Sequence, residues 1–212
     1  MPVLRGAVTF SRFRAEFPEA PPANLKPLLA RGLKARAFEP IDRKGEDDRA
    51  AGFVELDNPD GVDFDGTGFL AGEYALFSFR VDQLRIPGAQ LKVELEKWAA
   101  AFEREKGRAP ARSEKNATKD SLRMAMRNRA VPSTKMFDVS WHLKTHQLQV
   151  WAASRKVVEE VQLSAEEAFG VKLLPLAPAA IAQAAGIDEA QLMPTPELIG
   201  GALAEGTLHV EA

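Results

Sequence analysis

Cysteine is missing from all 212 residues, and only three histidines and one tyrosine are present. The first absence excludes disulfides, thiolate metal sites and a cysteine nucleophile, and it fits a reducing cytoplasm. The second leaves a thin stock of the usual catalytic groups. The longest uninterrupted apolar run is Trp98–Phe102, far short of the roughly 20 residues that a membrane helix needs. Arg5, Arg12 and Arg14 stand near the start with no apolar stretch between them, so no secretory signal is expected. No G-x-S-x-G, phosphate-cradling glycine loop, zinc finger or aromatic RNA-binding pattern occurs. Apolar residues make up 45% and charged residues 27%, an ordinary globular composition that excludes bulk disorder.

Charge is what stands out, through its distribution. The net charge is only −2. From Glu39 to Asp65, however, ten acids face three bases, a local −7. From Arg104 to Lys135, ten bases (Arg104, Lys106, Arg108, Arg112, Lys115, Lys119, Arg123, Arg127, Arg129 and Lys135) face three acids, a local +7. Such a chain can bind a polyanion on one face while the remainder repels it.

Alternating apolar residues predict a strand over residues 3–13, and leucines at helical spacing predict a helix from Asn24 to Ala35. Short strands are expected at Gly52–Leu56 and Glu73–Val81. Asn58-Pro59-Asp60-Gly61 is a turn in which proline presets φ and glycine accepts a positive φ. Leu91, Leu95, Trp98 and Phe102 predict a helix from Pro87 to Lys106, stopped by Gly107 and Pro110. A second long helix runs to about Arg129, with Ser113 as N-cap and Pro132 as terminator. Phe137, Val139, Trp141 and Leu143 alternate, turn at Lys144-Thr145-His146, and return as Leu148, Val150 and Ala152, which predicts a hairpin. A helix from Ser154 to Phe169 closes at Gly170 and precedes a short strand at Val171–Leu176. The fold class is therefore α+β, with mixed antiparallel sheets and long charged helices. Residues 1–178 form the core, from which a basic helical segment protrudes at about 88–132, and residues 179–212 form short Ala/Pro-rich helices.

Lys115, Lys119, Arg123 and Arg127 recur every four residues, which makes a gently drifting stripe on a helix. Leu122 and Met126 lie on another face, available to the core. Repeated cations on a rigid rod suit a phosphate backbone, where each displaces a condensed counterion. A solvated helix face is the alternative, although like charges at this spacing repel. Without a base-reading motif, binding would be directed to the backbone. Asp57, Asp60, Asp63 and Asp65 do not fit a calcium loop, and no Asp/Glu-x-Lys follows Pro59-Asp60, so a solvated acidic loop is expected. His142 and His146 flank a turn and would not share a face as zinc ligands do. Trp151 falls opposite Val150, either to stack on a base or to lie under a helix. No cofactor, metal site or catalytic residue is expected.

The order of elements resembles the recombination-associated protein RdgC family. The residues that carry the resemblance are Gly72-Glu73-Tyr74, the run Leu84 to Lys92, Lys119-Asp120-Ser121-Leu122-Arg123, Ala130-Val131-Pro132, the hairpin Asp138–Trp141 to Val150–Lys156, Phe169-Gly170 and Leu173–Leu176. They span roughly residues 72–178, with a looser match from Val3. The resemblance implies a homodimer, a ring with a positive hole, and binding of double-stranded and single-stranded DNA with little sequence preference. It also implies restraint of the recombinase filament, a cytoplasmic, nucleoid-associated location, and the stripe as the DNA-facing part. Such family members commonly run well past 212 residues. The family also carries an exonuclease label. Two other readings compete with a DNA-binding protein. One is a metal-dependent nuclease using Asp57–Asp65. The other is an adaptor whose basic helix docks on an acidic partner, such as the Glu39–Asp65 segment of another copy.

Overall fold

The computed structural model describes residues 9–188 and Gln191. Its frame is one antiparallel sheet. The strands are β1 (Ser11–Glu16), β2 (Arg49–Glu55), β3 (Leu70–Ala71), β4 (Tyr74–Gln83), β5 (Ser133–His142), β6 (Gln147–Trp151) and β7 (Lys172–Pro175). They lie in the order β2-β4-β5-β6-β1-β7, and β3 pairs with β4. The chain is thus α+β, as expected.

Alternation along the strands decides which side is the core. Ala75, Phe77 and Phe79 of β4, Val139 and Trp141 of β5, and Leu148 and Val150 of β6 are all buried. The register pairs Val139 with Val150 and Trp141 with Leu148, so the hairpin presents one apolar face. Two helices cover that face: α1 (Lys26–Ala35), through Leu29 and Leu33, and α4 (Arg155–Phe169), through Val158, Val161, Ala165 and Phe169. Phe169 is the hub. Its ring lies 5.1 Å from Trp141 and 5.9 Å from Phe53, centroid to centroid. Gly170 then ends α4 in the left-handed region, at φ 64°, where glycine has no Cβ penalty.

The intervening residues of the same strands face the other way and are mostly polar, Leu76 and Met136 being exceptions. Ser78 donates to Asp138 at 2.8 Å. The Trp151 indole N–H donates to Ser140 Oγ at 3.0 Å. Arg80 grips Asp82 with two hydrogen bonds of 2.9 and 2.7 Å. Each buried polar group named here has a partner, which is what burial demands.

Some expectations shift in place. Strand β1 starts at Ser11, and residues 3–8 of the strand expected there lie outside the described residues. The Asn58–Gly61 turn forms, with the Gly61 N–H donating to the Asn58 carbonyl at 3.1 Å. The positive φ falls on Asp57 (57°), not on Gly61. A Cβ at 61 would meet only the Asn58 and Glu55 side chains, whose ends lie 2.4 Å away and can turn aside. Helix α5 (Pro178–Ala184) begins the expected C-terminal helices; most of the remainder lies outside the described residues.

The α1–α4 crossing yields a prediction with an inverted sign. Gly32 is interior to a helix, where alanine is intrinsically better by about 1 kcal/mol. Here its Cβ would lie 2.5 Å from the Ala168 carbonyl oxygen and 2.5 Å from Phe169 Cδ1. Gly32→Ala should therefore destabilise the fold by about 1–3 kcal/mol, the usual cost of overpacking. Urea unfolding would read this as a lower midpoint at unchanged slope.

Candidate nucleic-acid interface

Two helices, α2 (Gly88–Lys106) and α3 (Arg112–Arg129), pack on each other between β4 and β5. No residue of α2 is buried, and Arg127 is the buried residue of α3. The pair therefore forms an arm that takes no part in the core. Leu122 and Met126, expected to be available for the core, instead line a half-open groove at the arm's base with Ile86, Pro87 and Val131. Its volume is about 550 Å³.

Local chemistry builds the arm's tip. Trp98 and Phe102, one turn apart, lie 5.3 Å from centroid to centroid. Gly107 ends α2 at φ 66°. The cap of α3 is not Ser113 but lies two residues earlier, at Ala111. Glu114 explains the difference: its carboxylate accepts the Ala111 backbone N–H at 2.7 Å and two Arg108 N–H bonds at 2.8 and 2.9 Å. The Arg108 hydrogen bonds, followed by the Ala111 N–H, lower the Glu114 pKa to about 2.

The ten expected DNA contacts fall into three groups. Some are committed elsewhere. Arg108 serves the cap. Lys106 lies 3.3 Å from Glu105, and Arg123 lies 3.5 Å from Asp48 while its side chain stays 60% exposed. Others have no acidic partner among the described residues: Arg104, Arg112, Lys115, Lys119, Arg129 and Lys135, all exposed. Within α3, Arg112, Lys115 and Lys119 share one side of the first two turns.

Arg127 stands alone and corrects the expected stripe. It is 3% exposed. Its Nε donates to Asp48 Oδ1 at 2.9 Å, and its terminal nitrogens donate to the carbonyls of Arg43, Asp42 and Asp47 at 2.6–3.0 Å. The reason is helical geometry. At 3.6 residues per turn, each step of four residues drifts by about 40°, so Arg127 is turned about 120° from Lys115. The stripe starts in solvent and ends against the protein. The same contact corrects the idea of wholly separate basic and acidic surfaces. Part of the acidic segment, Asp42–Asp48, lies on the C-terminal end of α3 within one chain.

The remaining candidates are dispersed. Asp60 pairs with Arg80 at 2.7 Å and Asp65 with Lys34, while Asp63 accepts the Asp65 backbone N–H at 3.0 Å. Among the described residues, no three His, Asp or Glu side chains converge as a metal site would require. His142 packs edge-on against Tyr74 and accepts the Thr145 N–H, whereas His146 packs against Phe17. Trp151 is half-buried under Phe10, 4.9 Å away, a covered position rather than an open platform. The sequence reading missed Asp48, Arg43 and Glu114. Glu114 had a legible signal, an acid three residues after a cap position.

Titration of Glu114 gives a direct check. Its pKa is depressed from an ordinary 4.5 to about 2. Its stabilising contribution is therefore complete above about pH 4.5 and is lost as pH falls toward 2. Carbon-detected NMR should place its midpoint near 2, and Arg108→Ala should return it toward the ordinary range.

The family model described as "Putative exonuclease, RdgC" matches residues 12–187. No curated protein matches the chain. No helix among the described residues is long and apolar enough to cross a membrane. A match over most of the length, on a chain whose helical arm and Trp-bearing hairpin fall in the expected order, settles the kinship: the protein belongs to the RdgC family of recombination-associated proteins.

Proposed function

We propose that this protein binds double-stranded and single-stranded DNA without sequence preference through the exposed side of its α2–α3 arm, and that it modulates homologous recombination as a dimeric ring or clamp. The observation that carries the reading is the set of cations with no acidic partner among the described residues, on the arm and at its base: Arg104, Arg112, Lys115, Lys119, Arg129 and Lys135. In the same protein, Lys34, Arg36, Arg49, Arg80 and Lys144 are each held by a carboxylate. Unpaired cations along a rod keep their full field for phosphates, whereas paired ones spend it locally. Arg127 leaves the contact set, and Arg123 contributes only after giving up Asp48.

Binding without cleavage is the second half of the proposal. Two-metal and one-metal phosphodiester hydrolysis both need carboxylates converging on the ion. Here Asp60 and Asp65 turn to different cations. The family description favours the competing nuclease reading, so the experiment includes it.

Changing Arg104, Arg112, Lys115 and Lys119 together to Ala should lower the slope of log K against log salt by up to about 4 per subunit, at close to one counterion per phosphate. Loss should be similar for unrelated sequences. Arg31→Ala with Lys156→Ala, on the helices that cover the core, should leave affinity and slope nearly unchanged. An unchanged slope in the quadruple variant overturns the site. Duplex cleavage in Mg²⁺ that disappears in Asp60→Ala or Asp63→Ala overturns the binder-only reading. Light scattering should give about twice the 23.2 kDa of one chain.

A further inference from the structure

We infer that Arg127, gripped by the Asp42–Asp48 segment, is the positioning residue that fixes the angle of the DNA-binding arm to the sheet. The inference rests on the proposed DNA-binding role of the arm, but its geometry stands independently.

Arg127 and Arg43 exchange hydrogen bonds in both directions. Arg127 donates to the carbonyls of Arg43, Asp42 and Asp47 and to the Asp48 carboxylate. Arg43 donates back, at 2.8 Å each, to the carbonyls of Arg127 and Ala130. Those two carbonyls belong to the last turn of α3 and to its C-cap residue, where helix carbonyls have no intrahelical donor. The Arg43 cation also suits the negative end of the helix dipole. The latch therefore caps the helix and ties it down at one point.

Little else restrains the arm. No residue of α2 contributes to the core, and Arg127 is the buried residue of α3. Among the described residues, the polar ties of the arm to the rest of the protein converge on Asp42–Asp48, with Arg123 adding an exposed contact to Asp48. Arg127 is suited to this task where lysine is not. Its planar fork meets four acceptors at fixed angles, while an ammonium is a point charge on a flexible stem. Burying it without these partners would be costly.

Charge-neutral and charge-changing variants separate positioning from phosphate contact. If Arg127 touched phosphate, Arg127→Lys would keep most of the binding. Asp48→Ala, made in an Arg123→Ala background so that no freed Arg123 adds a phosphate contact, would tighten it relative to that background. If Arg127 positions the arm, both variants weaken duplex binding. The loss is on the order of tenfold or more, because only the fraction with a correctly set arm is competent. The salt slope should remain that of the parent, since the same phosphates are met once DNA is bound. By contrast, Lys115→Ala with Lys119→Ala should lower the slope.

The absence of cysteine lets two labels be introduced cleanly, one at the arm's tip (Glu105→Cys) and one on α4 (Leu163→Cys, 60% exposed). Distances between spin labels should be narrowly distributed in the parent and broad in Arg127→Lys. Where that variant fails to fold by thermal melting, Arg43→Lys carries the same test. An unchanged distance distribution in a folded latch variant, or tighter binding by Asp48→Ala in the Arg123→Ala background, overturns the inference. If the parent binds no DNA at low salt, the proposed function fails while the distance measurement still decides the latch.

Discussion

A buried guanidinium organises the relation between the two parts of this protein. Arg127 sits at the point where a basic helix meets an acidic loop, and its burial is tolerated because Asp48 and three carbonyls satisfy it. Removing one partner from such a group typically costs about 3–5 kcal/mol, since an uncompensated charge remains. The arrangement also divides the cationic helix. Its C-terminal end is spent on architecture, and its N-terminal turns keep their charge exposed.

The sheet supplies the rigid reference for that division. One face is closed by α1 and α4 around Phe169, Trp141 and Phe53, and the other carries paired polar groups such as Ser78–Asp138 and Arg80–Asp82. The arm leaves the sheet at the end of β4 and returns at the start of β5, neighbouring strands that pair along their full length. An insertion between adjacent strands can extend without disturbing the register of either. A helical arm is therefore held at its root, while its length is set independently of the sheet.

Much of this was legible from local rules. The hairpin over β5 and β6 follows from period-two alternation, and the ends of α2 and α4 follow from Gly107 and Gly170. The helical spacing of Leu91, Leu95, Trp98 and Phe102 located α2. What local rules missed was decided by partners distant in sequence or by competition between neighbours. Nothing in the spacing of Lys115, Lys119, Arg123 and Arg127 distinguishes the last from the others. Only the approach of residues 42–48, some 80 positions earlier, buries it. Ser113 was a reasonable cap until Glu114 reached back to Ala111. The acidic segment was visible as composition, but its partner in the same chain was not.

The proposed DNA contact is made by the arm's cations that lack acidic partners among the described residues, and not by the paired ones elsewhere. Lysine acetylation followed residue by residue with and without duplex DNA tests this most directly. DNA should protect Lys115 and Lys119 on the arm, while the reactivities of Lys34 and Lys144, already held by Asp65 and Glu73, should be unaffected. Equal reactivity of Lys115 and Lys119 in the bound and free protein, with protection appearing on the α1–α4 side, would contradict it.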